Sequence, residues 1–359
     1  MLSELIYFFH GDYSWLNVFR YITFRTIFST LFSLMMIFIF GAWVINRLRV
    51  LQVGEYIRDD GPPNHKEKVG TPTMGGCLIL PVIILSTLLW AEVNNIYILL
   101  VILIAFCFGG IGFVDDYLKT VRKNGKGLSV KAKFGLQVIA ALIVAIILHY
   151  SQGFDSRLNV PIFKNVTPDI GLWYIPFTVF IIVGASNAVN LTDGLDGLAV
   201  GPIIITFTSY LVFAYLAGHV KIASYLRIPY VAGSGELSVM CGAIIGACLG
   251  FLWYNAYPAE IFMGDTGSLP LGAIMGTIAV ITKQELVLIL AGGIFVVEAL
   301  SVIFQVAYFK ITKGKRIFRM APIHHHFELK GWPESKVTVR FWIIAIVLAL
   351  LSISTLKLR

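Results

Sequence analysis

The sequence predicts an all-α, polytopic integral membrane protein with about ten transmembrane helices and both termini on the periplasmic side. Of the 359 residues, 57% are hydrophobic and only 13% are charged, roughly half the charged fraction of an average soluble domain. Much of the surface of a soluble fold must face water, so this composition indicates that the lipid bilayer is the solvent.

Ten apolar runs are long enough to be considered as spans, because a helix needs roughly 20 apolar residues to cross the hydrocarbon core. The fifth and eighth runs are short and rich in glycine. The whole chain, 1–359, is predicted to form a single transmembrane domain. The predicted spans are 22–46, 74–92, 96–114, 132–149, 170–187, 197–217, 237–254, 267–282, 285–309 and 338–356.

The basic residues predict the orientation. Of the 28 Lys and Arg residues, 18 lie in segments 47–73, 115–133 and 310–336, which all follow odd-numbered spans. Cytoplasmic loops carry the excess of Lys and Arg, so these segments are predicted to face the cytoplasm. Basic residues in such loops contact anionic headgroups or phosphates, so nucleic acid is not expected as a partner despite the net charge of +8.

Acidic residues concentrate on the same membrane face. The inner loops 188–196 and 255–266 contain no Lys or Arg, and seven of the ten Asp residues fall on the cytoplasmic side. Short loops of a bilayer protein have little reason to be acidic. This asymmetry predicts a metal-dependent active site formed by cytoplasmic loops.

The first acidic motif is Asp115-Asp116, which follows a glycine-rich stretch at the end of the third span. Adjacent helical residues point about 100° apart, so the two carboxylates are expected to have different roles. One would face a metal or pyrophosphate, and the other would face a proton. The alternative is a solvated helix end, although a carboxylate there opposes the helix dipole. The glycines are expected to allow close helix packing.

The second motif runs from Asn187 to Leu198. Asp193 and Asp196 are three residues apart and share a face if the segment is helical. Gly194 would let backbone amides approach a ligand, and Asn190 adds a donor and an acceptor. The alternative is a polar turn between two helices.

The third motif, 255–268, contains Asn255, Phe262 and Asp265. Asp265 precedes the eighth span, where it could act as an ordinary N-cap. A helix N-terminus is also a phosphate-binding position. Phe262 is interpreted either as a stacking platform for a base or as a packing residue.

The fourth motif contains His324, His325 and His326, which follow a basic run. Consecutive histidines do not suit one zinc ion, and the H-E-x-x-H spacing is absent. Contact with phosphates is the favoured interpretation, and a solvated loop is the alternative.

Phosphate chemistry would use all four motifs. Mg²⁺ prefers one or two carboxylates together with substrate oxygens, and it stabilises a leaving phosphate. Lys and His side chains would add electrostatic stabilisation, which dominates catalysis of phosphoryl transfer. No P-loop or kinase motif is present.

Together these motifs resemble those of the polyprenyl-phosphate N-acetylhexosamine-1-phosphate transferase superfamily, and within it the bacterial branch that transfers phospho-MurNAc-pentapeptide. The matching stretches run from residue 71 to residue 328. The resemblance implies transfer from UDP-MurNAc-pentapeptide to undecaprenyl phosphate, which yields lipid I and UMP and requires Mg²⁺. It also implies a homodimer in the bacterial inner membrane with a cytoplasmic active site.

The resemblance further implies roles for individual residues. Asp265 would ligate Mg²⁺, and Asp115, with Asp116 beside it, would orient or deprotonate the lipid phosphate. His324 completes the set of catalytic candidates. The candidates for substrate contact are Lys68, Thr73, Lys119, Lys133, Asn190, Asp193, Gly194, Leu195, Asp196, Asn255, Phe262, His325 and His326.

Three other activities are considered. The nearest is transfer of GlcNAc-1-phosphate from UDP-GlcNAc to the same lipid, which uses the same acidic motifs; the histidine run favours the muramoyl branch. A transporter would explain Glu298, since a carboxylate inside a span is usually functional, but transport predicts paired broken helices at the midplane. A membrane metalloprotease lacks a suitable pair of histidines.

Overall fold

The computed structural model describes residues 6–7, 9–11, 13–51, 70–120, 127–151, 153–163 and 166–357. Lys68 lies outside these residues. Within them the chain is helical and contains no β-strand, and an isolated bridge joins Arg157 to Asp169. The predicted all-α class is confirmed.

Thirteen α-helices and four 3₁₀-helices are assigned in the described part of the chain. The 3₁₀-helices are Phe9–Gly11, Ser14–Arg20, Gly171–Trp173 and Ser234–Glu236. The α-helices are α1 (Ile22–Val50), α2 (Gly76–Trp90), α3 (Ile96–Thr120), α4 (Val130–Tyr150), α5 (Tyr174–Thr192), α6 (Val200–Ala217), α7 (Val220–Leu226), α8 (Leu237–Asn255), α9 (Asp265–Ile281), α10 (Leu288–Ala291), α11 (Gly293–Ile311), α12 (Ile323–Glu328) and α13 (Glu334–Ser354).

The ten predicted spans correspond to helices, and the chain is a membrane protein. Eight are long and apolar enough to cross a bilayer, whereas α2 and α9 are shorter apolar helices. Several boundaries differ from those predicted; for example, the fifth span was expected to end at residue 187, whereas α5 continues to Thr192. The third span was expected to end at residue 114, but α3 continues to Thr120 because its terminal carboxylates are paired with neighbouring groups. The ninth was expected to begin at residue 285, but the helix is interrupted at Gly292.

The core lies around α8 and α9. Every residue of α9 from Thr266 to Ile281 is buried, because α9 packs between α3 and α5 while α8 packs against α1 and α6. A helix enclosed on all sides is apolar around its whole circumference. The packing places the first residue of α9, Asp265, beside the last turns of α3 and α5.

One glycine permits this approach. A Cβ atom on Gly112 of α3 would lie 2.2 Å from the backbone oxygen of Asp265, so any larger residue would separate the two helices. The expectation that these glycines allow close packing is confirmed at this position. Ser129 caps α4 by accepting a hydrogen bond from the amide of Ala132 at 3.3 Å, which sets Lys133 in the first turn of α4.

Candidate active site

Three carboxylates from two helices meet at one point. Asp115 and Asp116 come from the last turns of α3, and Asp265 begins α9. One oxygen from each lies within 4.8 Å of the others. The sequence argument that neighbouring helical carboxylates face different ways holds only in part, because Asp265 lies where both can reach it.

Asp116 caps helix α9 from a different helix. Its Oδ2 accepts hydrogen bonds from the amide of Thr266 at 2.8 Å and from the Thr266 hydroxyl at 2.7 Å, and its Oδ1 accepts from the amide of Asp265 at 3.3 Å. The first amides of a helix have no partner within the helix. The interpretation of Asp265 as the N-cap is therefore wrong, since Gly264 holds that position and Asp116 supplies the carboxylate.

Asp115 joins the end of α3 to the start of α4. Its Oδ1 accepts from the amide of Leu128 at 2.6 Å, and its Oδ2 accepts from Lys133 at 3.2 Å and pairs with Lys119 at 2.7 Å. Asp115 is only 2% exposed. These contacts fix the carboxylate and both ammonium groups relative to one another.

Asp265 lies between the two lysines and an amide. Its Oδ2 accepts from Lys119 at 2.9 Å and from Lys133 at 2.6 Å, while its Oδ1 accepts from Asn190 Nδ2 at 2.5 Å. Asn190, in the last turn of α5, also donates to Ser268 Oγ at 2.8 Å. The site therefore draws on α3, α4, α5 and α9 together.

The cluster suits a divalent cation. At formal charges, the three carboxylates and two ammonium groups sum to one excess negative charge. Carboxylate oxygens are the donors that Mg²⁺ prefers. The lysines lie close enough to the carboxylates to contact phosphate oxygens of a substrate that approaches the same point.

Thr73 and Phe262 lie on two segments that pair beside the cluster. The amide of Phe262 donates to the carbonyl of Pro72 at 2.8 Å, and its own carbonyl accepts from Gly75 at 2.9 Å. Thr73 is buried, with its hydroxyl next to Gly264. These bonds hold the backbone of Phe262 against residues 72–75, and its side chain is half-buried.

Three other predicted substrate residues make structural contacts. Asp196 is buried, and its Oδ2 accepts from the amide of Ala259 at 3.0 Å. Asn255 bridges two loops by accepting from the amide of Gly197 at 3.1 Å and donating to the carbonyl of Ile261 at 2.9 Å. Leu195 is buried in a small apolar cluster that includes Ile294 and Phe341. These contacts join the loop after α5 to the loop after α8.

The three histidines occupy different environments. His324 is fully buried, and its ring lies against Gly194 and Glu298. His325 Nδ1 lies 2.7 Å from Glu328 Oε2. His326 Nδ1 accepts from the amide of Arg319 at 3.0 Å, which requires an unprotonated nitrogen. Burial, with Lys330 and Arg319 nearby, lowers the pKa of His326 from its ordinary value.

Sequence reasoning missed several groups that hold the site together. Thr266 and Ser268 follow Asp265 directly, so their proximity along the chain was an available indication. Leu128 contributes a backbone amide, and this hydrogen bond could not be predicted because almost every residue type has such an amide. Gln305 of α11 accepts from the amides of Ile317 and Phe318, at 3.0 Å each, and so holds the segment that leads to the histidines.

Comparison with known proteins relates this arrangement to an enzyme family. The model of glycosyl transferase family 4 matches residues 96–283, which include all three clustered carboxylates. A phospho-N-acetylmuramoyl-pentapeptide-transferase from Desulforapulum autotrophicum is 59% identical over the full length of both chains. The chain belongs to the phospho-N-acetylmuramoyl-pentapeptide-transferase family.

Other members of this family are equally similar. The phospho-N-acetylmuramoyl-pentapeptide-transferase of Syntrophus aciditrophicus is 59% identical over the full length of both chains, and that of Desulfatibacillum aliphaticivorans is 60% identical over 96% of each. Membership supports a transferase over a transporter or a protease. It also supports the muramoyl branch over the GlcNAc-1-phosphate alternative.

Proposed function

We propose that this protein transfers phospho-MurNAc-pentapeptide from UDP-MurNAc-pentapeptide to undecaprenyl phosphate, giving lipid I and UMP. The observation that carries the proposal is the group of three carboxylates and two lysines at the ends of membrane helices. In this proposal that end of the bundle faces the cytoplasm in the bacterial inner membrane, where a lipid phosphate and a soluble nucleotide can meet.

The reaction needs one bond to form and one to break. An oxygen of the lipid phosphate attacks the β-phosphorus of the nucleotide, and the bond from that phosphorus to the bridging oxygen breaks, so UMP leaves with the electron pair. A phosphate oxygen is already largely ionised near pH 7. Asp115 therefore acts mainly by orienting the lipid phosphate through Lys119 and Lys133.

Direct attack is favoured over a covalent intermediate on Asp265. Both oxygens of Asp265 already accept hydrogen bonds, one from Asn190 and one from the two lysines. A carboxylate held in this way is a poor nucleophile but a well-fixed metal ligand. When bound by Asp265 with Asp115 and Asp116, Mg²⁺ would neutralise the diphosphate and stabilise the departing UMP.

The remaining candidates would contact the substrate around this centre. Lys119 and Lys133 lie beside the metal position and would hold the diphosphate. Phe262 would stack on the uracil ring, as its position at the start of α9 allows. Further contacts with the nucleotide-sugar are assigned to Lys68, Thr73, Asn190, Asp193, Gly194, His325 and His326.

Asp196, Asn255 and Leu195 would support the substrate indirectly. Their side chains are engaged in the contacts between loops and in the small apolar cluster. Within the proposal they keep the loop after α5 in the shape that the nucleotide needs.

The test is an assay of the purified protein in lipid nanodiscs with undecaprenyl phosphate, Mg²⁺ and either UDP-MurNAc-pentapeptide or UDP-GlcNAc. UMP release and a lipid-linked phosphosugar are expected with the first nucleotide only. Transfer from UDP-GlcNAc alone would refute the proposal. Mass measurement of the detergent-solubilised protein would test the proposed homodimer.

A further inference from the structure

A buried carboxylate lies apart from the three clustered ones. Glu298 in α11 is fully buried. Within the described residues, neither of its side-chain oxygens has a hydrogen-bond partner. Burying an unpaired charge is costly, and ionisable residues inside membrane helices are usually functional. The mechanism proposed above gives Glu298 no role.

The group that faces Glu298 is a histidine. Glu298 Oε1 lies 3.2 Å from Nδ1 of His324, and both side chains are at most 1% exposed. The distance suits an ion pair, although the alignment does not meet hydrogen-bond geometry. Hydrogen bonds of active sites often become aligned only when substrate binds.

The opposite edge of the same ring contacts the loop after α5. A Cβ atom on Gly194 would lie 2.5 Å from Nε2 of His324, so the ring packs directly against the glycine backbone. The ring is thus held between a carboxylate and this loop. Its position therefore limits where Gly194 can lie.

That loop is connected to the carboxylate cluster through a short series of contacts. The amide of Asp193 donates to the carbonyl of Asn190 at 3.3 Å, and the side chain of Asn190 donates to Asp265 at 2.5 Å. A displacement of His324 would therefore shift the substrate-contacting loop and then the proposed metal ligand, Asp265.

The neighbouring histidine has its own carboxylate. His325 pairs with Glu328 within the same short helix at 2.7 Å. His324 instead pairs with a carboxylate from a different helix, α11. The His324 contact thus helps to fix α12 against a membrane helix, together with the packing of Phe327 on Phe341 of α13.

We propose that Glu298 is a positioning residue that orients His324 by accepting its Nδ1 proton, and so sets the loop 193–196 for the nucleotide-sugar. This inference rests on the proposed function for its substrate. A carboxylate partner fixes both the tautomer and the ring orientation of a histidine. The side chain of Glu298 does not itself touch substrate.

Kinetics test this role with Glu298→Gln and Glu298→Leu, and with Val297→Ala on the exposed side of α11 as the matched control. Both Glu298 variants are expected to raise KM for UDP-MurNAc-pentapeptide by about 10- to 100-fold, the usual range for a lost orienting partner, and to change kcat much less. Glu298→Leu leaves the buried His324 without its carboxylate partner, so it is expected to unfold at a lower temperature than the wild type, and its kinetics are measured below that temperature.

Two kinetic results bear directly on the proposal. A folded Glu298→Leu protein with wild-type KM would overturn it, since a merely structural residue would give that result. Gly194→Ala displaces the same ring from the other side, so its effect combined with Glu298→Gln should be clearly less than additive. Full additivity would also overturn the proposal.

Nitrogen-15 NMR of histidine-labelled protein provides a readout that needs no substrate. The His324 resonances are assigned by their loss in His324→Asn, and Nδ1 is expected to be protonated in the wild type and shifted in Glu298→Gln. An unchanged His324 spectrum would overturn the pairing. If the wild type transferred no phosphosugar, the proposed function would fail while this measurement still decided the Glu298–His324 contact.

Discussion

Replacement of Gly112 by alanine tests the contact between α3 and the start of α9. The new Cβ would lie 2.2 Å from the backbone oxygen of Asp265 and 2.8 Å from the Cα of Thr266. Both are backbone atoms, which cannot move aside by changing a rotamer. The helices themselves must separate.

The size of the effect follows from these distances. Ordinary contact begins at 3.4 Å, so the separation must be roughly 1 Å, which a close-packed interior resists. Overpacking of this kind costs about 1–3 kcal/mol. The same shift would stretch the hydrogen bonds of Asp116 to Thr266 and displace Asp265, and a 1 Å misplacement can reduce turnover by about 100-fold.

Gly110→Ala on the same helix is the matched control, because a Cβ there meets no neighbouring group within 4 Å. Alanine at this position should leave turnover unchanged and stabilise the helix by about 0.5–1 kcal/mol. Thermal unfolding in detergent and UMP release in nanodiscs measure both effects. If Gly112→Ala matched Gly110→Ala in both assays, the reasoning would be refuted.

Three further predictions concern the site and the histidine segment. Thr266→Val should lower the free energy of unfolding by about 1.5–3 kcal/mol by removing a buried hydrogen bond to the Asp116 carboxylate, whereas Thr266→Ser should retain it; equal denaturation midpoints would contradict this. Asp265→Asn should weaken Mg²⁺ binding, measured by calorimetry, and reduce UMP release by at least about 100-fold. Because the pKa of His326 is lowered, its contribution to stability is present above the ordinary histidine pKa and is lost as the pH falls through the folded-state value. When the pH is lowered from 7.5 to 5.5, the unfolding temperature should therefore decrease less in His326→Asn than in the wild type. Asparagine keeps an acceptor for the amide of Arg319 but does not titrate.

The sequence was sufficient to predict the helices and the gathering of Asp115, Asp116 and Asp265. Apolar length decides a membrane span because the bilayer thickness is fixed. Short loops on one membrane face must also lie near each other, so acidic residues confined to those loops can meet. Both inferences depend on properties that are local in the chain.

Contacts between residues far apart in the sequence could not be predicted in this way. The capping of α9 by Asp116 joins residues about 150 positions apart, and nothing in either stretch specifies the other. The contacts of Asp196 and Asn255 with neighbouring loops were likewise not foreseen, because polar loop residues look alike in sequence whether they bind a ligand, a neighbouring loop or both. The pairing of Glu298 with His324 depends on how α12 folds back onto α11.

The capping of α9 by Asp116 also affects how loss-of-activity data should be interpreted. The same carboxylate starts a helix of the core and lies beside the reacting groups, so selection for folding and selection for turnover act on one side chain. A lower rate in an Asp116 variant reports the product of the folded fraction and the rate per folded molecule. Only measurements that determine both separately can assign a catalytic contribution to it.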